Sequence, residues 1–189
     1  MVMIKIWVNK LEKILLGILV IGFIAGVVGC SGSGVKKAKI GEPFNLNVVS
    51  LTLLQQITPS ITYHSEPELQ RLLTSHIRKN LTLQGLFSTK PSANMLKIKV
   101  VYQRHFLDEQ NPTLSGALAY PGYGFEIKVI EGSNKKNVLE TISQQNLMFK
   151  GRFIMNIDIE AGRLDKKSDE IVFVDGIAKA IVRSIQALK

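Results

Sequence analysis

Hydrophobic and polar residues alternate along two segments of the chain, at residues 44–54 and 95–106. A period of two is typical of a β-strand with one buried face and one face in water. The first segment slips once, at Val48 and Val49, which predicts a strand with a bulge. In the second segment the buried side is predicted to hold Leu96, Ile98, Val100 and Tyr102, and the wet side Lys97 and Lys99.

Apolar residues instead recur every three or four positions in two other segments, which predicts two amphipathic helices. Ser65 and Glu68 match a capping box at the start of the first helix, and Pro67 suits its first turn. Gly85 is placed to end that helix in the left-handed conformation. The second helix is predicted from Ser168 onwards, with acidic residues at its start. The two apolar stripes are Leu69, Leu72, Leu73, Ile77 and Leu81, and Ile171, Val174, Ala178, Ile181, Ile185 and Leu188.

The second stripe leaves two interpretations open. It could form a dimer seam, or it could pack against the sheet. Val172, Ile177 and Val182 widen it beyond a two-residue seam, which favours burial within the domain.

Two more strands are predicted at residues 125–130 and 138–153, joined by a cluster of turn-forming residues at 132–137. A strand–helix–strand crossover packs its helix on one face of the sheet. The predicted fold class is therefore α+β, with two layers: a mixed or antiparallel sheet of about four strands, and two helices on one of its faces. Residues 44–189 are assigned to a single domain of this class, because a chain of this length suits one core.

The N-terminal region has a different pattern. Residues 14–29 form an unbroken apolar run of 16 residues, shorter than the roughly 20 that a helix needs to cross a bilayer. Lys5, Lys10 and Lys13 precede this run, small residues collect at its end, and the chain's only cysteine, Cys30, follows it. This order predicts a secretory signal peptide over residues 1–29.

The residues Val27-Val28-Gly29-Cys30 resemble the lipobox of bacterial lipoproteins. The resemblance implies that the Cys30 thiol takes a diacylglycerol, that the leader is cut before it, and that its amino group gains a further acyl chain. Two or three acyl chains hold a protein on a membrane almost permanently. Ser31 follows the cysteine where Asp would resemble an inner-membrane signal, so the resemblance implies an outer-membrane lipoprotein facing the periplasm. The alternative is an unmodified thiol at the end of an uncleaved anchor.

Residues 30–43 are small, polar and basic, and are predicted to be a short lipidated tether. The order of elements behind the lipobox, together with the run at residues 68–87, is similar to the small α+β lipoproteins of Gram-negative outer membranes, including the uncharacterised YajG-type lipoproteins. That resemblance implies a fold, and it assigns no functional residue of the family to this chain.

The charge of the chain is strongly basic. Its 24 Lys and Arg against 15 Asp and Glu give +9, and removal of the leader leaves about +7. The basic residues are scattered, and the predicted compartment holds no nucleic acid, so a nucleic-acid partner is not predicted. Anionic lipid headgroups, lipopolysaccharide phosphates, an acidic partner and an ordinary solvated surface all remain open.

Candidate chemistry is sparse. His64, His76 and His105 lack the spacing of a zinc site, and His76 is expected to be a core or boundary histidine. The acid pairs at 108–109 and 169–170 are explained by solvation or by a helix dipole. We therefore predict no enzyme, no metal site and no cofactor.

The long loop at residues 107–124 is the strongest candidate for a binding element, because long loops in compact domains are often functional. Its residues Leu114, Leu118, Tyr120 and Tyr123 are predicted partner contacts, unless Leu118, Tyr120 and Tyr123 cap an open end of the sheet. Two functions remain: a non-enzymatic binding or assembly module of the envelope, or an accessory lipoprotein that handles lipid or lipopolysaccharide. The oligomeric state is left open.

Overall fold

The computed structural model describes residues 40, 43–107, 109, 116–151 and 153–188. The predictions on the leader, on Cys30 and on Leu114 lie outside these residues. The described elements are β1 (Phe44–Gln55), α1 (Glu66–Leu83), β2 (Asn94–Arg104), β3 (Gly122–Ile130), β4 (Val138–Met148), α2 (Phe153–Glu160) and α3 (Glu170–Gln186), with a 3-10 turn at Lys167–Asp169.

The four strands form one sheet in the order β1-β2-β3-β4. β1 and β2 are parallel, with α1 as their crossover, and the other neighbours are antiparallel. The register of β1 against β2 shifts between Leu46 and Val48, which is the predicted bulge. The predicted α+β class, with helices packed on one face of a mixed four-stranded sheet, is confirmed.

Both predicted caps of α1 are present. The backbone N–H of Ser65 donates to Glu68 Oε2 at 2.8 Å, and the Ser65 hydroxyl donates to the same oxygen at 2.9 Å. At the other end Gly85 has φ of 67°, and the N–H of Leu86 donates to the carbonyl of Leu81 at 2.8 Å. This pair of features is the Schellman arrangement, which satisfies carbonyls that the helix leaves without partners.

Helix α1 also protects the outer edge of β1. The N–H of Leu51 donates to Gln70 Oε1 at 3.2 Å, and the N–H of Leu53 donates to Glu66 Oε2 at 2.8 Å. Side chains of the crossover helix thus occupy donors that an edge strand would otherwise offer to another chain. The opposite edge of the sheet is β4.

The predicted hairpin between β3 and β4 is present, but β4 ends at Met148 and not at residue 153. Beyond it, Phe149 turns back onto α3, where its ring meets that of Phe173 edge-on at 5.1 Å between centroids. A Cβ added at Gly176 would overlap the Phe149 ring, so a glycine is needed at this point of the helix. This contact ends the strand.

Helix α2 is an element that the pattern did not predict. Its apolar residues Met155, Ile157 and Ile159 alternate with polar ones, which is typical of a strand, and eight residues are too few to reveal a helical period. It ends at Gly162, with φ of 66°, where the N–H of Arg163 donates to the carbonyl of Asp158.

Helix α3 is buried against the sheet and α1, as the wider stripe favoured, so this stripe is not free to form a dimer seam. The prediction for Val172 was wrong, since 52% of its surface is exposed. Phe173 and Ile177 occupy the centre of the buried face instead, which turns Val172 outward. Among the described helices, none has the length and hydropathy that a membrane crossing requires.

We predict that Glu68 makes folding stability depend on pH. A hydrogen bond from Lys167, followed by those from Ser65, lowers the pKa of Glu68 from 4.5 to about 2. Its stabilising effect should therefore be complete above about pH 4.5 and be lost as the pH falls through about 2. Urea unfolding across this range should show the difference between wild type and E68Q shrinking towards low pH. K167Q removes the largest cause and should have a smaller effect of the same sign; a constant difference for E68Q would contradict the assignment.

Candidate functional site

The domain has two ends along its strands. At the Phe44 end, β1 and β2 begin, β3 finishes, and the turn at residues 131–137 leads into β4. At the Arg104 end, β1 and β2 finish and α3 begins. The candidate sites lie at the Arg104 end and along the outer side of α3.

A buried ion pair lies at the Arg104 end. Arg104 Nε donates to Glu170 Oε1 at 2.7 Å, and the two residues are 4% and 0% exposed. The other guanidinium nitrogens of Arg104 donate to Gln55 Oε1 and to the carbonyl of His64, each at 2.6 Å. Such extra bonds are what a buried pair needs to offset the cost of desolvation.

His64 and Tyr63 complete this cluster. The backbone N–H and Nδ1 of His64 both lie 3.1 Å from Glu170 Oε2. The Tyr63 ring lies 5.5 Å from the Arg104 guanidinium, and its hydroxyl donates to the carbonyl of Gly116 at 2.7 Å. Burial, followed by nearby carboxylates, raises the pKa of Tyr63 to about 12, so its proton is held. With its groups engaged in these contacts, the cluster fixes the loop at residues 56–65 to the start of α3 and is poorly suited to bind substrate.

This cluster was not predicted, although the sequence contains one sign of it. Arg104 is two residues beyond Tyr102 and so continues the buried register of β2. A charged residue in a buried register predicts a buried partner of opposite charge. Its partner could not be found, because Glu170 is 66 residues away and looked like an ordinary helix start.

The two other histidines also contact carboxylates. His76 Nδ1 lies 2.9 Å from Asp175 Oδ1 at the boundary of the core, as predicted, and His105 Nδ1 lies 3.3 Å from Glu109 Oε2. In the described part of the chain, no group of three or more histidine, cysteine or acidic side chains is arranged to hold a metal ion.

The predicted contact residues do not share one environment. Leu118 is only 1% exposed and pairs with Phe106, so its side chain serves the core. This placement agrees with the alternative that the loop caps the end of the sheet. Tyr120 and Tyr123 are half-buried against the core, and a partner contact at these two residues stays a prediction.

Tyr123 lines a groove, a cavity of about 920 Å³ between α3 and the segment that contains the end of β4 and α2. Burial raises the pKa of Tyr123, and the positive charge of Arg183 opposes that rise. The apolar part of the lining includes Leu147, Phe149, Met155 and Ala180. The charged part consists of Lys150, Lys179, Arg183, Asp158, Asp169 and Asp175.

The groove can accept an apolar chain or side chain whose polar ends meet its charged rim, and its volume is in the range of ligand pockets. Within the rim, Lys179 pairs with Asp175 at 2.5 Å, and Asp158 pairs with Arg163 at 3.4 Å. Sequence patterns could not reveal the groove, because its walls come from segments that no periodicity connects.

We predict that the Arg104–Glu170 pair is structural. E170A leaves Arg104 buried without its partner and should lower the free energy of unfolding by about 3–5 kcal/mol, measured by urea denaturation. The double variant R104M/E170L replaces both charges with apolar groups and should recover most of this loss. A double variant as unstable as E170A would contradict the assignment.

No protein-family model matches the chain, and no curated protein matches it either. It is similar to a minor lipoprotein from Acinetobacter baumannii, at 17% identity over 74% of this chain and 91% of that one, with a TM-score of 0.34. It is also similar to rare lipoprotein B from Shewanella oneidensis, at 18% identity over 73% and 94% of the two chains, with a TM-score of 0.30. A DUF330 protein from Xanthomonas campestris shares 9% identity over 79% and 86%, with a TM-score of 0.34. Similar solved structures thus include bacterial lipoproteins, at identities and TM-scores too low to establish a shared fold or function.

Proposed function

We propose that this chain is a lipoprotein, acylated on Cys30 and cut before it, that holds one α+β domain on the periplasmic side of the outer membrane. The domain acts there as a non-enzymatic binding or assembly module of the cell envelope. The observation that carries the proposal is the lipobox Val27-Val28-Gly29-Cys30, in which the chain's only cysteine takes the position that acylation requires.

The non-enzymatic role is supported by how the titratable residues are used. Each histidine contacts a carboxylate of its own chain, and the Arg104–Glu170 ion pair is buried beneath the loop it fixes. A reactive site needs groups that are both activated and accessible to a substrate. In the described residues these groups serve the fold.

We predict that the replacement C30S releases the protein from the membrane. Cells fed an alkyne fatty acid should label the wild-type protein, which should float with membranes in a density gradient. C30S should be unlabelled and should leave the outer-membrane fraction, whereas S31A, a neighbouring control, should behave as wild type. A C30S protein that is labelled as strongly as wild type, or that stays in the outer-membrane fraction, would contradict the anchor.

The second candidate function, handling of a lipid or lipopolysaccharide, is favoured by the groove beside α3. Its apolar wall and its basic residues Lys150, Lys179 and Arg183 could accept an acyl chain and an anionic headgroup. The filled core of the domain favours the binding module, because the groove lies on the flank of the helix and not beneath it.

Photocrosslinking separates these two functions. We predict that a photoreactive residue at Tyr120 or Tyr123 in living cells forms a protein adduct visible as a discrete shift in mass. The control position is Leu83, which is 69% exposed at the end of α1 and should form no such adduct. Recovery of lipid adducts alone at the two tyrosines would contradict a protein partner and favour the second function.

A further inference from the structure

We propose that the Phe44 end of the domain docks on anionic phospholipid headgroups, so that the Arg104 end points away from the membrane. This inference rests on the proposed anchor at Cys30 and goes beyond it, since an acylated tether alone leaves the domain free to rotate. It is carried by the distribution of charge over the two ends and by the point where the chain enters the sheet.

The Phe44 end carries a group of lysines that we call the basic end. They come from the loop before β2, from the uncovered face of the sheet and from the β3–β4 turn, and most of them are exposed. The acidic residues near them are Glu126, Glu131 and Glu140, so positive charge prevails there. The basic end consists of Lys90, Lys97, Lys128, Lys135 and Lys136.

Within this group, two lysines lie directly opposite each other in the sheet. Lys97 of β2 is the register partner of Lys128 of β3, and both project from the face that the helices leave uncovered. Like charges in such a pair destabilise a sheet. Glu126 pairs with Lys128 at 3.4 Å and offsets part of this repulsion. Headgroup phosphates would offset the rest.

The Arg104 end has the opposite balance. The carboxylates near it outnumber its basic side chains, and one residue of each sign, Glu170 and Arg104, is buried in the ion pair. The ends of β2 are about 33 Å apart at 3.3 Å per residue. Since charges are screened within about 8–10 Å at physiological salt, a membrane at one end acts on that end alone. The carboxylates are Glu66, Glu68, Glu109, Asp158, Asp165, Asp169 and Glu170, and the basic residues are Arg71, Arg104, Lys150, Arg163, Lys166 and Lys167.

The tether joins the domain at its basic end. β1 begins at Phe44, and Cys30 precedes it by fourteen residues. A stretch of this length spans at most about 45 Å and on average about 20 Å, so the basic end is within reach of the bilayer surface. Lys36, Lys37 and Lys39 add positive charge in the same interval.

The side chains of the basic end favour a lipid surface over a protein partner. A protein partner would bury an apolar centre. The exposed apolar side chains at this end are the small set Val48, Val138 and Leu139, and they lie beside flexible ammonium groups and a polar turn. Attraction of this kind suits a fluid anionic surface, where each lysine contributes independently and salt weakens the contact. The docked state is therefore reversible and lies on the headgroups without insertion.

The test uses the acylated full-length protein, purified and reconstituted in vesicles of phosphatidylcholine alone or mixed with phosphatidylglycerol. Because Cys30 is the only cysteine and carries the acyl groups, S92C places one fluorescent label at the Phe44 end and S168C places one at the Arg104 end. A lipid that carries a nitroxide on its headgroup quenches the fluorescence of a label that lies close to the membrane surface. We expect quenching at position 92 to rise about threefold or more on adding phosphatidylglycerol, and to be unchanged at position 168.

Two charge variants with the same change in net charge sharpen this test. K90E/K97E/K135E, in the S92C background, should reduce the quenching to the level in neutral vesicles. K150E/R163E/K166E, at the other end, should leave the quenching at position 92 high. Concentrated salt should abolish the quenching that phosphatidylglycerol adds. Equal quenching at both positions, or no response to phosphatidylglycerol, would overturn the docking. If the protein failed to float with either kind of vesicle, the anchor itself would be refuted, which is a distinct result.

Discussion

The packing of α1 and α3 on one face of the sheet is the interaction on which the rest of the structure depends. It buries one face of β1, β2 and β3 and leaves the other face in water, as the alternation in β2 shows. The covered face holds the core and the Arg104–Glu170 pair, whereas the lysines of the basic end lie on the wet face or in the turns beside it. The same packing lets α1 close the edge of β1 and leaves β4 as the other edge.

Local patterns were enough to predict most of this architecture. The alternation of β2, the capping box of Ser65 and Glu68, and the left-handed glycine at Gly85 all depend on residues within a few positions of each other. Features that depend on distant residues were not predictable. Helix α2 is too short for its period to be read, and β4 ends early because Phe149 packs on a helix that the chain forms later.

The candidate site shows the same division. The residue type of Tyr123 was visible in the sequence, but its predicted place in the loop was wrong, because β3 begins at Gly122. The groove around Tyr123 is built from α3 and from the segment beyond β4. Leu118 lies in the predicted loop and is buried in the core, so its place in a loop did not predict that its side chain is exposed. The fold thus places a groove and a half-buried tyrosine at a distance from the basic end, which suits a domain that meets the membrane with one part and a partner with another.

The proposed function and the proposed docking both depend on a covalent lipid at Cys30, because such a lipid would set the compartment and hold the domain at the membrane. The most direct measurement is the intact mass of the mature protein purified from membranes. The account predicts a chain that begins at Cys30 and carries a diacylglycerol and a further acyl chain. A mass that corresponds to the intact leader and a free thiol would contradict it.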